Sequence, residues 1–387
     1  MVSERLSSLT PSLTLEVTAK AKAMKAKGID VIGFGAGEPD FDTPHHIKEA
    51  LYSAVKDGFI YYTPASGIPE LREAISKKLK RENGIGYQPE EIIATPGAKQ
   101  AIFEAIMVLL NPGDEVLVPQ PHWVSYMPIV KIAGGKGVPL PVRKEEGFKL
   151  QAEVIKERIT PKTKLLILNT PNNPTGAVLE RKDLERIAEA CLENNLFVIS
   201  DEIYEHIIYE ARHTSIASLK EMKERTITVN GFSKAYSMTG WRLGYAAGPQ
   251  HIIKLMSNLQ GHSVSNATSF VQKAGIAALE GDQRCVRKMV EEFRKRRDRI
   301  VELLNGIGGV DCASPEGAFY VFPDFGAIEK SSLRLARHLL NEAKVAVIPG
   351  SAFGEAGEGF LRLSYATSME NIEKGIERIK KAVKELG

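Results

Sequence analysis

Between residues 92 and 247, short apolar runs alternate with segments of helical spacing, and this alternation leaves few architectures open. Ile92–Thr95, Glu115–Val118, Leu165–Leu168, Phe197–Ser200, Ile227–Val229 and Leu243–Ala247 read as strands. A helix is expected to begin near Ala98, and Glu70–Glu82 and Lys182–Asn194 carry helical spacing. A run such as Leu196-Phe197-Val198-Ile199 has no polar side, so it must be covered on both faces. The pattern predicts an α/β domain on a mostly parallel sheet. After about residue 280 the character changes. A charged helix over 282–304, strands near Gly317–Phe322 and Val345–Ile348, and a final helix from Met369 describe a smaller α+β domain. An amphipathic helix over 12–27 is expected to pack with that domain. The expected division is a large domain over 45–280 and a discontinuous small domain from 1–44 and 281–387, two domains being the default at 387 residues.

Composition removes several function classes. The net charge is only +3 and basic residues are interleaved with acidic ones, so no stripe suits nucleic acid. Lys20, Lys22, Lys25 and Lys27 are interrupted by Glu16 and Asp30 and read as a solvated helix face, not a membrane surface. No run reaches the ~20 apolar residues of a membrane span. The cysteines Cys191, Cys285 and Cys312 are odd in number and far apart, which argues against disulfides and structural zinc. With no signal-peptide profile at Met1–Arg5, the expected compartment is the cytoplasm, and no metal is expected.

The chemistry concentrates in Gly231-Phe232-Ser233-Lys234-Ala235-Tyr236, with Arg242 shortly after. A lysine that loses its proton near neutral pH can form a Schiff base, and an arginine fork can hold a phosphate. Ligands of open α/β sheets sit at the carboxyl ends of strands, where Asp201 ends an apolar run. A carboxylate there needs a cation, or serves as a helix cap. Tyr204 follows, as a hydroxyl donor or a packed aromatic. Asn172-Asn173-Pro174-Thr175-Gly176 is a turn, or a turn that offers the Asn173 amide to a ligand. Gly97-Ala98-Lys99 opens a helix whose free N–H groups suit a phosphate. Trp123 could stack on a flat ring or fill the core. Gly33-Phe34-Gly35-Ala36-Gly37 fails as a dinucleotide fingerprint because Glu38-Pro39 follows where a helix should continue. It reads as a tight loop exposing N–H groups to a ligand. Arg362 interrupts an alternating strand, Phe360–Tyr365, whose wet face is undetermined.

Together these segments resemble the fold-type I pyridoxal phosphate (PLP) enzymes, specifically the class I/II aminotransferases. The resemblance rests on Gly37-Glu38-Pro39-Asp40-Phe41, Tyr62-Thr63-Pro64, Gly67–Arg72, Pro171–Gly176, Ser200–Tyr204, Ser233-Lys234 and Arg362-Leu363-Ser364. The Gly-Ala-Lys-Gln at 97–100 is similar to that of bacterial aspartate aminotransferases. It implies a seven-stranded, mostly parallel sheet in the large domain, and PLP as cofactor. Lys234 would be the Schiff-base lysine, with Asp201 on the pyridine nitrogen and Asn173 and Tyr204 on the phenolate oxygen. Arg242 and the N–H groups of Ala98 and Lys99 would hold the phosphate, with Trp123 against the ring. Arg362 would grip the substrate α-carboxylate, helped by the Gly37 N–H. Lys99, with hydroxyls near Ser12 and Thr14, would read the distal carboxylate. Tyr62 would reach the phosphate in the neighbouring subunit, which makes the working unit a homodimer. Gly231 stands where some relatives carry a phosphate-binding serine, and Thr10 where prephenate-using relatives often carry a basic residue. The implied reaction moves the amino group of L-aspartate to 2-oxoglutarate by a ping-pong route. Broader specificity (aromatic, alanine or prephenate substrates) and C–S lysis on the same fold are the alternatives.

Overall fold

The computed structural model describes Leu9 and residues 13–386. The strands in chain order are β1 (Ile32–Gly33), β2 (Ile92–Thr95), β3 (Glu115–Gln120), β4 (Lys136–Pro141), β5 (Thr163–Asn169), β6 (Phe197–Asp201), β7 (Thr226–Gly231), β8 (Gly244–Ala247), β9 (Tyr320–Val321), β10 (Val345–Ala346), β11 (Ile348–Pro349) and β12 (Leu361–Ser364). Seven of them form one sheet in the order β2-β8-β7-β6-β5-β3-β4. All its neighbours are parallel except those of β8, which runs antiparallel to both β2 and β7. The fold is therefore the expected α/β one. Strand β4 was not foreseen, because Gly137, Pro139 and Pro141 break its β-type signal.

The chain steps outward from β3 to β4, then returns to β5 and proceeds the other way through β6 to β8. This reversal opens a crevice at the carboxyl ends of β3 and β5. The apolar strands explain why helices cover both faces. On one side Ile93, Ile102, Val116, Ile167 and Met256 share a core; on the other lie Leu117, Leu166, Leu168, Leu184 and Val198.

The remaining strands make two small sheets: parallel β1-β10, and antiparallel β11-β12-β9. The long helix Arg284–Asn305 and the final helix Met369–Lys384 cover them, sharing a core of Phe293, Ile300, Phe319, Tyr365, Ile372 and Ile376. Ser368 caps the last helix by accepting from Asn371 N, so it begins at Met369 as expected. The helix Leu13–Ala26 buries Ala21 against Val31, Leu340 and Ala346, which attaches it to this part of the molecule. The expected strand over Gly317–Phe322 shrinks to β9, and Val345–Ile348 is split into β10 and β11 by Val347. Among the described residues no helix is long and apolar enough to cross a membrane.

Candidate active site

One cavity of about 290 Å³ opens where the two parts of the molecule meet. Its wall carries Asp201 from the end of β6, Lys234 from the turn after β7, Asn173 from the turn after β5, Trp123 from the loop after β3, and Ala98 and Lys99 from the helix after β2. Five strand ends thus deliver to one place, as the topology requires. Arg362 arrives from β12, and Gly37 and Thr14 from the N-terminal part. Arg242 and Tyr204 complete the expected set in this chain. Tyr62 does not line this cavity and is 89% exposed. Ser12 lies outside the described residues, as does Thr10.

Burial sets the electrostatics. Asp201 is buried and accepts from Tyr126 Oη at 2.6 Å and from Ile203 N at 3.3 Å. Desolvation pushes its carboxyl up to about 6, against the pull of those two donors. It is a carboxylate that a cation would stabilise. Lys234 is the reverse case. Burial brings its ammonium down to about 8, against the pull of Glu38, and its Nζ donates to Gly37 O at 2.5 Å. Arg362 Nη1 donates to Asn173 Oδ1 at 3.1 Å and Nη2 to Gly35 O at 2.8 Å, while its Nε is buried with no partner. Its guanidinium carbon lies 4.5 Å from the Tyr320 ring centroid. Every residue of β12 is buried, so the strand has no wet face and Arg362 is a buried cation.

In the loop after β1, two carbonyls meet the cations of the site: Gly35 O takes Arg362 and Gly37 O takes Lys234, while Phe34 N is spent on Ala346 O and Gly37 lines the cavity. The two cations draw the oxygens inward.

The phosphate-type end is built by close approach. Arg242 holds φ at +55°, an uncommon region for a residue with a Cβ, and its Nη1 donates to Thr239 O at 2.7 Å. A Cβ on Gly97 would lie 2.5 Å from Arg242 Nη2, and Gly97 itself has φ +90°. Only glycine fits at 97. The first-turn N–H groups of Ala98 and Lys99 have no intrahelical acceptors, and both residues line the same cavity. Lys99 Nζ stands 5.0 Å from the Trp123 ring centroid, its pKa lowered by partial burial and then by Arg242. Thr14 Oγ1 is buried without a partner. A Cβ on Gly231 would meet Gly244 Cα at 2.9 Å, so this backbone has no room for a serine there.

Sequence reasoning missed Tyr126, Asn169 and Tyr320. Asn169 pairs in register with Asp201, donates to its carbonyl at 3.0 Å and accepts from Asn173 N at 2.9 Å. The strand-end rule that found Asp201 would have found it. Tyr320 Oη lies 2.8 Å from Tyr204 Oη, a pairing across distant segments with no local signal.

A buried lysine poised to lose its proton, a cation-seeking carboxylate, an anion-binding helix end and a buried arginine together define an enzyme acting on amino or oxo acids. The chain belongs to the family aminotransferase class I and II, which matches residues 29–379. It is 51% identical to the probable aspartate/prephenate aminotransferase of Aquifex aeolicus, covering 100% of this chain and 99% of that protein. It is 49% identical to the aspartate aminotransferase of Bacillus sp. strain YM-2, covering 99% of each. The solved aspartate aminotransferase of Thermus thermophilus with maleate superposes with a TM-score of 0.95 at 45% identity, covering 99% of each chain. The protein is an aminotransferase.

Proposed function

We propose that this aminotransferase uses PLP to move the amino group of L-aspartate to 2-oxoglutarate, forming oxaloacetate and L-glutamate. The residues fit that cofactor on two counts: Asp201 is a buried carboxylate with no ion-pair partner among the described residues, its carboxyl pushed up by burial, and Arg242 with the open helix end at Ala98 forms a cradle for a phosphate. When bound, PLP supplies an electron sink for the carbanion at the substrate Cα. Asp201 would hold a proton on the pyridine nitrogen, kept in place by Tyr126. Asn173 and Tyr204 would donate to the phenolate oxygen, and Trp123 would cover the ring. Lys234 would hold the cofactor, and its free amine would move the proton at the substrate Cα. Its proton-accepting form grows as pH rises through about 8.

The observation that carries the substrate choice is the pair of cations in one pocket, Arg362 buried and Lys99 beside Trp123. Arg362 has a free Nε for an α-carboxylate, with Gly37 at its side; Lys99, with Thr14 and Ser12, would meet a distal one. Aspartate and 2-oxoglutarate are both dicarboxylates, so one site serves both half-reactions. The maleate in the Thermus thermophilus enzyme is likewise a dicarboxylate. We also propose a homodimer in which Tyr62 reaches the partner's phosphate site, the domain division 45–280 against 1–44 with 281–387, and a cytoplasmic location that the free cysteines suit. A panel of amino donors and oxo-acid acceptors with PLP tests the reading. Aspartate with 2-oxoglutarate should give the highest kcat/KM. Faster turnover of aromatic amino acids, alanine or prephenate would replace it with the broader reading, and pyruvate with ammonia released without an acceptor would make the protein a C–S lyase.

A further inference from the structure

Along Ser200–Glu205 the side chains divide. Asp201, Ile203 and Tyr204 line the cavity, whereas Ser200, Glu202 and Glu205 belong to a second buried polar cluster that does not. Glu202 is fully buried and accepts from Ser200 Oγ at 2.8 Å, Ser215 Oγ at 2.7 Å and His213 Nε2 at 2.9 Å. Glu205 pairs with the buried ammonium of Lys78 and accepts from Asn83 Nδ2 at 2.7 Å. A further tie runs to β7: Asn230 Nδ2 donates to Glu205 Oε1 at 2.6 Å.

Asn230 is the hinge of this arrangement. While its amide nitrogen holds Glu205, its Oδ1 accepts the Gly231 N–H at 2.7 Å. Gly231 opens the turn to Lys234 and is wedged so tightly that an added Cβ would lie 2.9 Å from Gly244 Cα and 3.5 Å from Ile203 Cδ1. One amide side chain therefore touches both the segment carrying Asp201 and Tyr204 and the backbone leading to Lys234. We infer that Glu205, acting through Asn230, is a positioning residue that sets the Lys234 amine relative to Asp201 and Tyr204.

Glu205 makes a stiff anchor. Burial would raise its carboxyl, but Lys78, His206 and His213 outweigh that and hold it at about 2. An ionised, buried carboxylate cannot leave its partners without stranding charge. The ligand atoms of Glu202, Glu205 and His213 lie within 4.8 Å of one another, a spacing that would also suit a metal ion, but the Lys78 ammonium already supplies the cation. The site depends on such stiffness because the lowered pKa of Lys234 comes from where its amine sits. Movement toward solvent returns a lysine to its ordinary value.

The inference rests on Lys234 being the reactive lysine of the proposed function, and the experiment separates the two. The full-length protein, freed of cofactor, is pulsed with acetic anhydride across pH, and labelling at Lys234 is read by peptide mass spectrometry. Asn230→Ala and Glu205→Gln should each move the Lys234 midpoint up by about one unit toward the ordinary lysine value. The double variant should go no further than the larger single, since Asn230→Ala removes and Glu205→Gln weakens the same tie. In the cofactor-loaded enzyme, kcat should fall about tenfold while KM for aspartate stays within about twofold. A folded Asn230→Ala protein with the wild-type midpoint overturns the inference. Should Glu205→Gln fail to fold because Lys78 is stranded, Asn230→Ala decides alone, as it leaves the Lys78 and Asn83 contacts in place. A wild-type Lys234 that labels like a surface lysine overturns the assignment of Lys234 itself, and the inference with it.

Discussion

At the scale of single residues, Lys99 and Lys234 have the same side chain in different surroundings. Lys234 has its pKa lowered to about 8 by burial; Lys99 keeps contact with water beside Trp123. A solvated ammonium is a permissive partner for a distal carboxylate, with none of the directional demand of an arginine fork. Lys99→Ala should therefore lower kcat/KM for aspartate about tenfold, some 1.5 kcal/mol, the lower end for a charged hydrogen bond because water screens it. Alanine, with no distal carboxylate, should be nearly unaffected. Equal losses with both amino acids would mean that Lys99 serves the phosphate helix only. Lys234 by itself reads as a solvated surface lysine; it was legible through its company, with Asp201, Asn173 and Arg242 at neighbouring positions of the same strand-end pattern. Tyr126 was not, since nothing in its neighbourhood shows that its hydroxyl meets Asp201 across the sheet at 2.6 Å.

The element that matters most to the cofactor end is the helix Ala98–Leu109, seated against the start of β8. A Cβ at Gly244 would lie 2.4 Å from Ala98 N and 2.6 Å from Gly97 C, both backbone atoms that cannot step aside. Gly244→Ala should push the helix N-terminus off the strand, destabilising the protein by about 1–3 kcal/mol. It should also weaken PLP binding, because the N–H groups and Arg242 would lose their common focus. Calorimetry with and without PLP checks this. A normal PLP affinity alongside a lowered Tm would show that the strand–helix contact supports the fold but not the anion cradle. The sequence marked this helix start through Gly97 and the preceding β2. It could not mark Gly244, whose requirement comes from a chain segment far away in sequence.

At the scale of the whole molecule, the exposed large apolar side chains concentrate in one stretch of chain. Tyr52, Val55, Ile60, Tyr61 and Tyr62 are all exposed, and Leu255 is exposed on the helix whose Gln260 donates to Ala65 O. Large apolar side chains clustered on one face mark an interaction surface. In the proposed homodimer this face meets a second copy, and Tyr62 enters the neighbouring site. Tyr62→Ala and Lys234→Ala proteins, each impaired alone, should regain activity when mixed and allowed to exchange subunits. One site of each mixed dimer then has both residues intact. No recovery in demonstrably mixed dimers, or a monomer in sedimentation at working concentration, would reject the shared site.

The sequence alone determined the α/β class and the strand ends, because period and burial are local consequences of residue order. It also determined the lysine, carboxylate and arginine that chemistry demands at those ends. Tertiary structure decided what depends on distance between remote segments. The closeness of Arg362 to Asn173, the hydroxyl pair of Tyr204 and Tyr320, and the turn of the Gly35 and Gly37 carbonyls toward the cations are all of this kind. So are the pKa values: Asp201 rises and Lys234 falls because folding removes water from both, and no neighbour in sequence reports how much water is left.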